Sequence, residues 1–198
     1  MDILFVSDYV CPFCIVAREA LKRAAEELQI SPSVTYHPFE LTVPPAPQID
    51  TYHDEKRKSH YKILEKPCRQ MGLDAKFPPR VVPRPYTEKA FEGYYYALEH
   101  GRGDAYNGEV YAAYFIREED IGSMDVLVSI ARKIGLDGED FARCLQEGRY
   151  HETLAEANRH AREDLHVNHV PTIYIGGEEC EIQDYTPEEF VRILRKFM

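Results

Sequence analysis

No stretch of this chain limits its architecture as tightly as Cys11-Pro12-Phe13-Cys14, because of what lies on either side. The apolar, β-forming run Ile3-Leu4-Phe5-Val6 comes just before it, and Cys14, Ala17, Leu21, Ala24, Ala25 and Leu28 recur three or four apart just after it. A strand therefore hands the first cysteine, through the turn Ser7-Asp8-Tyr9-Val10, to the start of a helix that runs to about residue 29. There the unpaired N–H groups and the positive end of the helix dipole favour a thiolate, which makes Cys11 the attacking sulfur. Pro12 suits the first helical position, since its fixed φ is helical and the N–H it lacks has no intrahelical partner there. Cys14, one turn further in, is covered by the helix and becomes the resolving thiol.

Two cysteines at this spacing also occur as half of a zinc site. Structural zinc usually takes two such pairs, or one pair with spaced histidines. Here Cys68, Cys144 and Cys180 are scattered singly, and the one histidine pair is His166-x-x-His169. The strand-then-helix setting favours dithiol redox chemistry over zinc or inert cysteines, and no metal ligand is assigned. The 198 residues are enough for one domain, or for a domain carrying a large insertion. A formal net charge of −10 argues against nucleic acid and anionic membrane surfaces as partners. No apolar run approaches the ~20 residues needed to span a bilayer. Met1-Asp2 leads straight into the strand pattern, and five irregularly spaced cysteines do not form a secreted disulfide framework. The expected location is the cytoplasm.

A second strand is expected over 34–41, with Pro38 marking an edge or a bulge. Val43-Pro44-Pro45-Ala46-Pro47 then breaks the pattern. Helical periodicity follows over 56–72, 87–100, 106–118, 124–135, 139–147 and 153–165, interrupted by a proline-rich loop over 78–85. A strand returns at 171–175, turns at Gly176-Gly177 and comes back over 178–182. A last amphipathic helix reaches about residue 197, with Thr186 as N-cap, Pro187 at its first position, and Phe190, Val191, Leu194 and Phe197 facing inward. This order makes an α/β fold of the thioredoxin-like kind. Residues 1–42 and 166–198 form the thioredoxin-like part, and 43–165 a large all-helical insertion between the second and third strands.

Three segments carry a resemblance across the whole length: Ser7-Asp8-Tyr9-Val10-Cys11-Pro12-Phe13-Cys14, Pro38-Phe39-Glu40-Leu41, and Val170-Pro171-Thr172. Together they resemble the DsbA family, in its FrnE-like cytoplasmic branch. The resemblance implies a thiol–disulfide oxidoreductase with Cys11 as nucleophile and Cys14 resolving the mixed disulfide. It implies a cis Pro171 facing the sulfurs, with the backbone of Val170 presented to an extended substrate that adds as a strand. Protein thiols and disulfides, or glutathione as a substrate, are the implied partners, and no bound cofactor is required. FrnE-like proteins commonly carry Pro-Trp between the cysteines, and DsbA itself Pro-His. The Pro12-Phe13 pair found here is also seen in glutaredoxins. Phe13 cannot hydrogen-bond a thiolate as histidine does, so the direction of electron flow stays open.

Other residues allow two readings each. His169 either tunes the Cys11 thiolate and relays a proton, or is a loop histidine facing solvent. Glu40 either sits behind Cys14 and takes its proton, or is a solvated or capping carboxylate. Cys68, Cys144 and Cys180 read as small buried hydrophobes. The aromatics of the insertion, Tyr94, Tyr95, Tyr96, Tyr106, Tyr111, Tyr114 and Phe115, read chiefly as core, with a minority available to line a groove over the thiols. Two rival activities remain. One is a glutathione-dependent isomerase or transferase related to the kappa-class branch, which carries serine where Cys11 stands. The other is a non-enzymatic, redox-gated chaperone or metal binder.

Overall fold

The computed structural model describes residues 1–198. Four strands form one mixed sheet in the order β2-β1-β3-β4. The centre is β1 (Asp2–Ser7), which pairs in parallel with β2 (Ser33–Pro38) and antiparallel with β3 (Thr172–Ile175). Phe5 thus lies between Tyr36 on one side and Ile173 on the other. A central strand covered on both faces needs apolar residues at successive positions. Ile3 and Phe5 enter the main core, while Leu4 and Val6 pack on the opposite face with Phe39, Ala161 and Val167. At the edge, β2 stops at Pro38, short of the expected 41, because proline has no N–H to extend the ladder. β4 (Glu178–Glu179) is also shorter than expected.

Helix α1 (Pro12–Glu27) buries Cys14, Ile15, Val16, Ala17, Ala20, Leu21, Ala24 and Ala25, a wider stripe than the sequence periodicity alone marks out. It packs against the last helix and against a helix of the insertion. Between β2 and β3 come α2 (Glu55–Tyr61), α3 (Glu65–Met71), α4 (Glu88–Glu99), α5 (Gly103–Phe115), α6 (Met124–Lys133), α7 (Gly138–Gln146) and α8 (His151–Arg159). The chain closes with α9 (Pro187–Arg195), which lies on α1; its N-cap Thr186 accepts a hydrogen bond from the backbone N–H of Glu189 at 3.4 Å.

Two stretches depart from the sequence reading. The expected helix over 56–72 is broken by a 3₁₀ turn at Lys62–Leu64. Pro67 supplies no N–H and crowds the carbonyl four residues back, so the chain tightens just before it and restarts as α3. The helix expected from 153 begins at His151, and its last turn, His160–Asp164, is π-helical. One continuous core joins β1 and α1 to the insertion, with Phe5 and Cys14 in the same cluster as Tyr94, Tyr106 and Phe141. Gly93 on α4 lets α5 and α7 approach closely: a Cβ there would meet Phe141 Cζ at 2.8 Å and collide with the Tyr106 hydroxyl. No helix is long and apolar enough to cross a membrane.

Candidate active site

The turn after β1 is closed by a hydrogen bond from the Cys11 N–H to the Asp8 carbonyl at 3.1 Å. This sets Cys11 as the N-cap of α1, with Pro12 beginning the helix. Its sulfur donates to the Val170 carbonyl at 3.4 Å, across 159 residues of sequence. The Val170–Pro171 peptide is cis, and Pro171 is buried beside it. Cys11 keeps 4% of its surface exposed and Cys14 none. Burial first, then the hydrogen bond and charge of Cys11, push the Cys14 thiol well above the ordinary thiol range. Both sulfurs are thus interior, one at a helix N-terminus and the other a thiol that gives up its proton reluctantly.

The turn itself carries a buried acid. Asp8 is fully buried, and burial raises its carboxyl above the ordinary value. The shift is opposed by hydrogen bonds from the Leu41 N–H at 2.7 Å, from Thr87 and from the Val10 N–H, and by the charge of Arg84. Asp8 also acts directly on Cys14 through its backbone and its charge. Sequence reasoning took Asp8 as a turn residue and the 78–85 stretch as a plain loop, although that loop delivers the buried Arg84. An acid three residues before the first cysteine was the available signal. Among the insertion tyrosines, Tyr111 is the one that reaches the turn. Its hydroxyl donates to the Asp8 carbonyl at 3.4 Å and is raised well above the ordinary phenol range, first by burial and then by Cys14. Tyr9 donates to Asn107 of α5 and packs on Phe91 at 4.5 Å, tying the turn to the insertion.

Glu40 and His169 do not join the thiols. Glu40 is neither solvated nor capping: it is 4% exposed and exchanges two 2.8 Å hydrogen bonds with Asn158 of α8. Burial, then the charges of Asp8 and Glu88, raise its carboxyl to about 7. The His169 imidazole is exposed and bonds the neighbouring Asn168 side chain at 2.8 Å, with no hydrogen bond to either sulfur. His166 is exposed as well. Cys68 and Cys144 are buried, whereas Cys180 is half-exposed beyond β4.

Of the insertion aromatics singled out in the sequence, Tyr111 alone hydrogen-bonds to the turn before the thiols. Tyr94, Tyr96, Tyr106, Tyr114 and Phe115 are interior packing. Half-buried Phe13 instead meets the rings of His60 at 5.3 Å, Tyr61 at 6.1 Å and Tyr185 at 5.2 Å. Tyr185 stands close enough to both sulfurs for their charge to help burial raise its hydroxyl to about 12. The Cys-Pro-Phe-Cys turn therefore opens onto an aromatic wall drawn from α2 and the segment before α9.

A strand-delivered cysteine pair, a facing Val170–Pro171 and helices inserted between β2 and β3 are the features of one family, and the DSBA-like thioredoxin domain matches residues 2–192. The chain belongs to that family. It is 37% identical over 171 residues to the uncharacterized protein YwbO of Bacillus subtilis (strain 168), covering 86% of this chain and 84% of that one. Its fold is similar to that of a probable DsbA oxidoreductase from Streptomyces coelicolor, with a TM-score of 0.80 at 20% identity, covering 99% of this chain and 89% of the other. It is also similar to the cytosolic disulfide reductase DsbM from Pseudomonas aeruginosa, solved with GSH, with a TM-score of 0.71 at 16% identity over 100% and 98% of the two chains.

Proposed function

We propose that this DsbA-like chain is a cytoplasmic thiol–disulfide oxidoreductase of the FrnE-like kind, exchanging disulfides with extended protein segments or with glutathione. The observation that carries the reading is the asymmetry of the pair: Cys11 at a helix N-cap against the Val170 carbonyl, and Cys14 fully buried with a raised thiol. The Cys11 thiolate attacks one sulfur of a partner disulfide; that S–S bond breaks, a mixed disulfide forms, and the departing thiolate takes up a proton. Cys14 then passes its proton to Asp8 and attacks the Cys11 sulfur. The Cys11–Cys14 disulfide forms, the second partner thiol leaves, and two electrons have moved from the pair to the partner. The same steps run backwards when a reduced partner meets the oxidised pair.

The Val170 backbone beside Cys11 supports strand-like docking of a peptide at this edge, with Pro171 behind it. The small exposed area of Cys11 suits a narrow partner, and glutathione enters the reading because DsbM was solved with GSH. The −10 net charge disfavours anionic surfaces as partners.

The test is the reduction potential of the pair, measured by equilibration in glutathione buffers with trapping of free thiols. Cys14→Ala serves alongside and is expected to accumulate a stable mixed disulfide at Cys11. A reversible two-electron transition between Cys11 and Cys14 is the expected result. Failure of any Cys11–Cys14 disulfide to form would overturn it. Full turnover by Cys14→Ala would instead favour the glutathione-dependent isomerase or transferase.

A further inference from the structure

The charges of this acidic chain are unevenly placed. Residues 54–84 hold nine of its 24 lysines and arginines but only four of its 34 acids, so this segment is net positive within a chain of net charge −10. It comprises α2, the 3₁₀ turn, α3 and the loop that follows, and it supplies one side of the aromatic wall, where His60 and Tyr61 meet Phe13 between the two cysteines. Tyr61 also lines a cavity of about 500 Å³ whose cations are Lys58, Lys62, Lys76 and Arg80, against Glu65 and Glu118. The basic surface is thus continuous with the turn that carries the thiols. Resting on the function proposed above, we infer that this segment docks an acidic stretch of a protein partner and so brings the partner's nearby cysteine or disulfide to Cys11.

Part of this charge is already matched inside the molecule. Lys58 pairs with Glu55 at 2.8 Å and Lys76 with Asp74. Glu118 accepts the Arg80 backbone N–H at 2.8 Å, and the Lys76 N–H bonds the Phe115 carbonyl at 2.7 Å, so the loop that forms the cavity rim is pinned to the end of α5. The rest is open to a partner. Lys62 is exposed and has no carboxylate within ion-pairing distance, and the Arg80 side chain is 74% exposed, with its guanidinium 4.0 Å from Glu118. Exposed Lys56, Lys66 and Arg69 carry the positive surface along α2 and α3, beyond the cavity. A small thiol would occupy the cavity alone, whereas an extended acidic segment, advancing ~3.3 Å per residue, meets both the cavity and its extension. The net charge of −10 acts at long range; salt screens it beyond about 8–10 Å, and at contact the local cations decide.

The experiment uses the full chain carrying Cys14→Ala and peptides with one central cysteine held as its 2-thiopyridyl disulfide, with Glu, Gln or Lys at the positions two to four residues away on either side. The Cys11 thiolate attacks the peptide sulfur, the Cys11–peptide disulfide forms, and neutral pyridine-2-thione leaves and is read by absorbance. The chain carrying Cys11→Ser as well gives the background from the other cysteines. At low ionic strength the Glu peptide should react ~10-fold or more faster than the Gln peptide, the Lys peptide more slowly than either, and high salt should erase the difference. Lys62→Gln combined with Arg80→Gln should lower the ratio of the Glu to the Gln rate by roughly 3-fold or more, with Lys62→Arg keeping the parent ratio and circular dichroism confirming the fold. One common rate for the three peptides, or a ratio untouched by Lys62→Gln and Arg80→Gln, would overturn the docking surface and leave the oxidoreductase reading standing. No Cys11-dependent release from any peptide would overturn both. A loss in that double variant seen with the thiopyridyl disulfide of glutathione and not with the Glu peptide would give the cavity to a small thiol and overturn the assignment to a protein segment.

Discussion

Glu40 should make the stability of this protein depend on pH in a way that one substitution removes. Its carboxyl is nearly inaccessible, keeps the Asn158 amide on one oxygen and has no partner on the other. Burial, Asp8 and Glu88 raise it from 4.5 to about 7 in the folded chain. Between those values the folded protein holds a proton that the unfolded chain has released. Ionised Glu40 therefore costs nothing below pH 4.5, an increasing amount as pH rises, and its full penalty above pH 7. At roughly 1.4 kcal/mol per pH unit, the penalty is about 3 kcal/mol. Glu40→Gln keeps the acceptor for Asn158 and cannot ionise, so its stability relative to the parent should rise by about 3 kcal/mol across this window. Urea unfolding followed by far-ultraviolet circular dichroism, under reducing conditions with a chelator present, measures the difference at each pH. Any constant effect of the new amide shifts both ends equally and leaves the slope intact. Parallel stability curves for the two proteins from pH 4 to 8 would refute the argument.

Other substitutions test the remaining links. Asp8→Asn should leave mixed-disulfide formation at Cys11 unchanged and slow its resolution by Cys14 by roughly 10²-fold or more, as read by quench-and-trap kinetics. Gly93→Ala should lower the urea midpoint: the added methyl strikes Tyr106 and Phe141, costing about 1–3 kcal/mol against ~1 kcal/mol of helix propensity gained. Asn158→Leu strips both the Glu40 N–H and its carboxylate of their partner, and should cost roughly 2 kcal/mol or more at neutral pH in the same assay.

What the sequence disclosed was local. The thiol pair, the Pro12 start of α1, the Thr186–Pro187 start of α9 and the edge position of β2 are written in neighbouring residues, because caps, fixed φ angles and missing N–H groups act within a turn. What it hid was long-range. Asp8 meets Leu41, Thr87 and Arg84, and Glu40 meets Asn158, 118 positions away. No periodicity announces such a partnership, so Glu40 read either as a base behind Cys14 or as a solvated or capping carboxylate, and Asp8 as part of a turn. His169 shows the converse limit: two residues from Pro171 in sequence, it still turns its ring to Asn168 and solvent. The broken helix at Lys62–Leu64 lay within reach, since Pro67 was visible in the middle of an otherwise regular pattern.

The turn that carries the cysteines is held by the insertion. Arg84 and Thr87 restrain the Asp8 carboxyl, Tyr111 bonds its carbonyl, and Asn107 receives the Tyr9 hydroxyl; all four belong to the chain between β2 and β3. The insertion is thus a socket for the cysteine-bearing turn rather than an appendage above it. A trimmed version retaining only the sheet, α1 and α9 would expose a carboxylate and a tyrosine that depend on those helices. For the engineer, the unit of transplantation is the whole chain, and exchanging this turn between relatives requires exchanging Arg84, Thr87, Asn107 and Tyr111 with it.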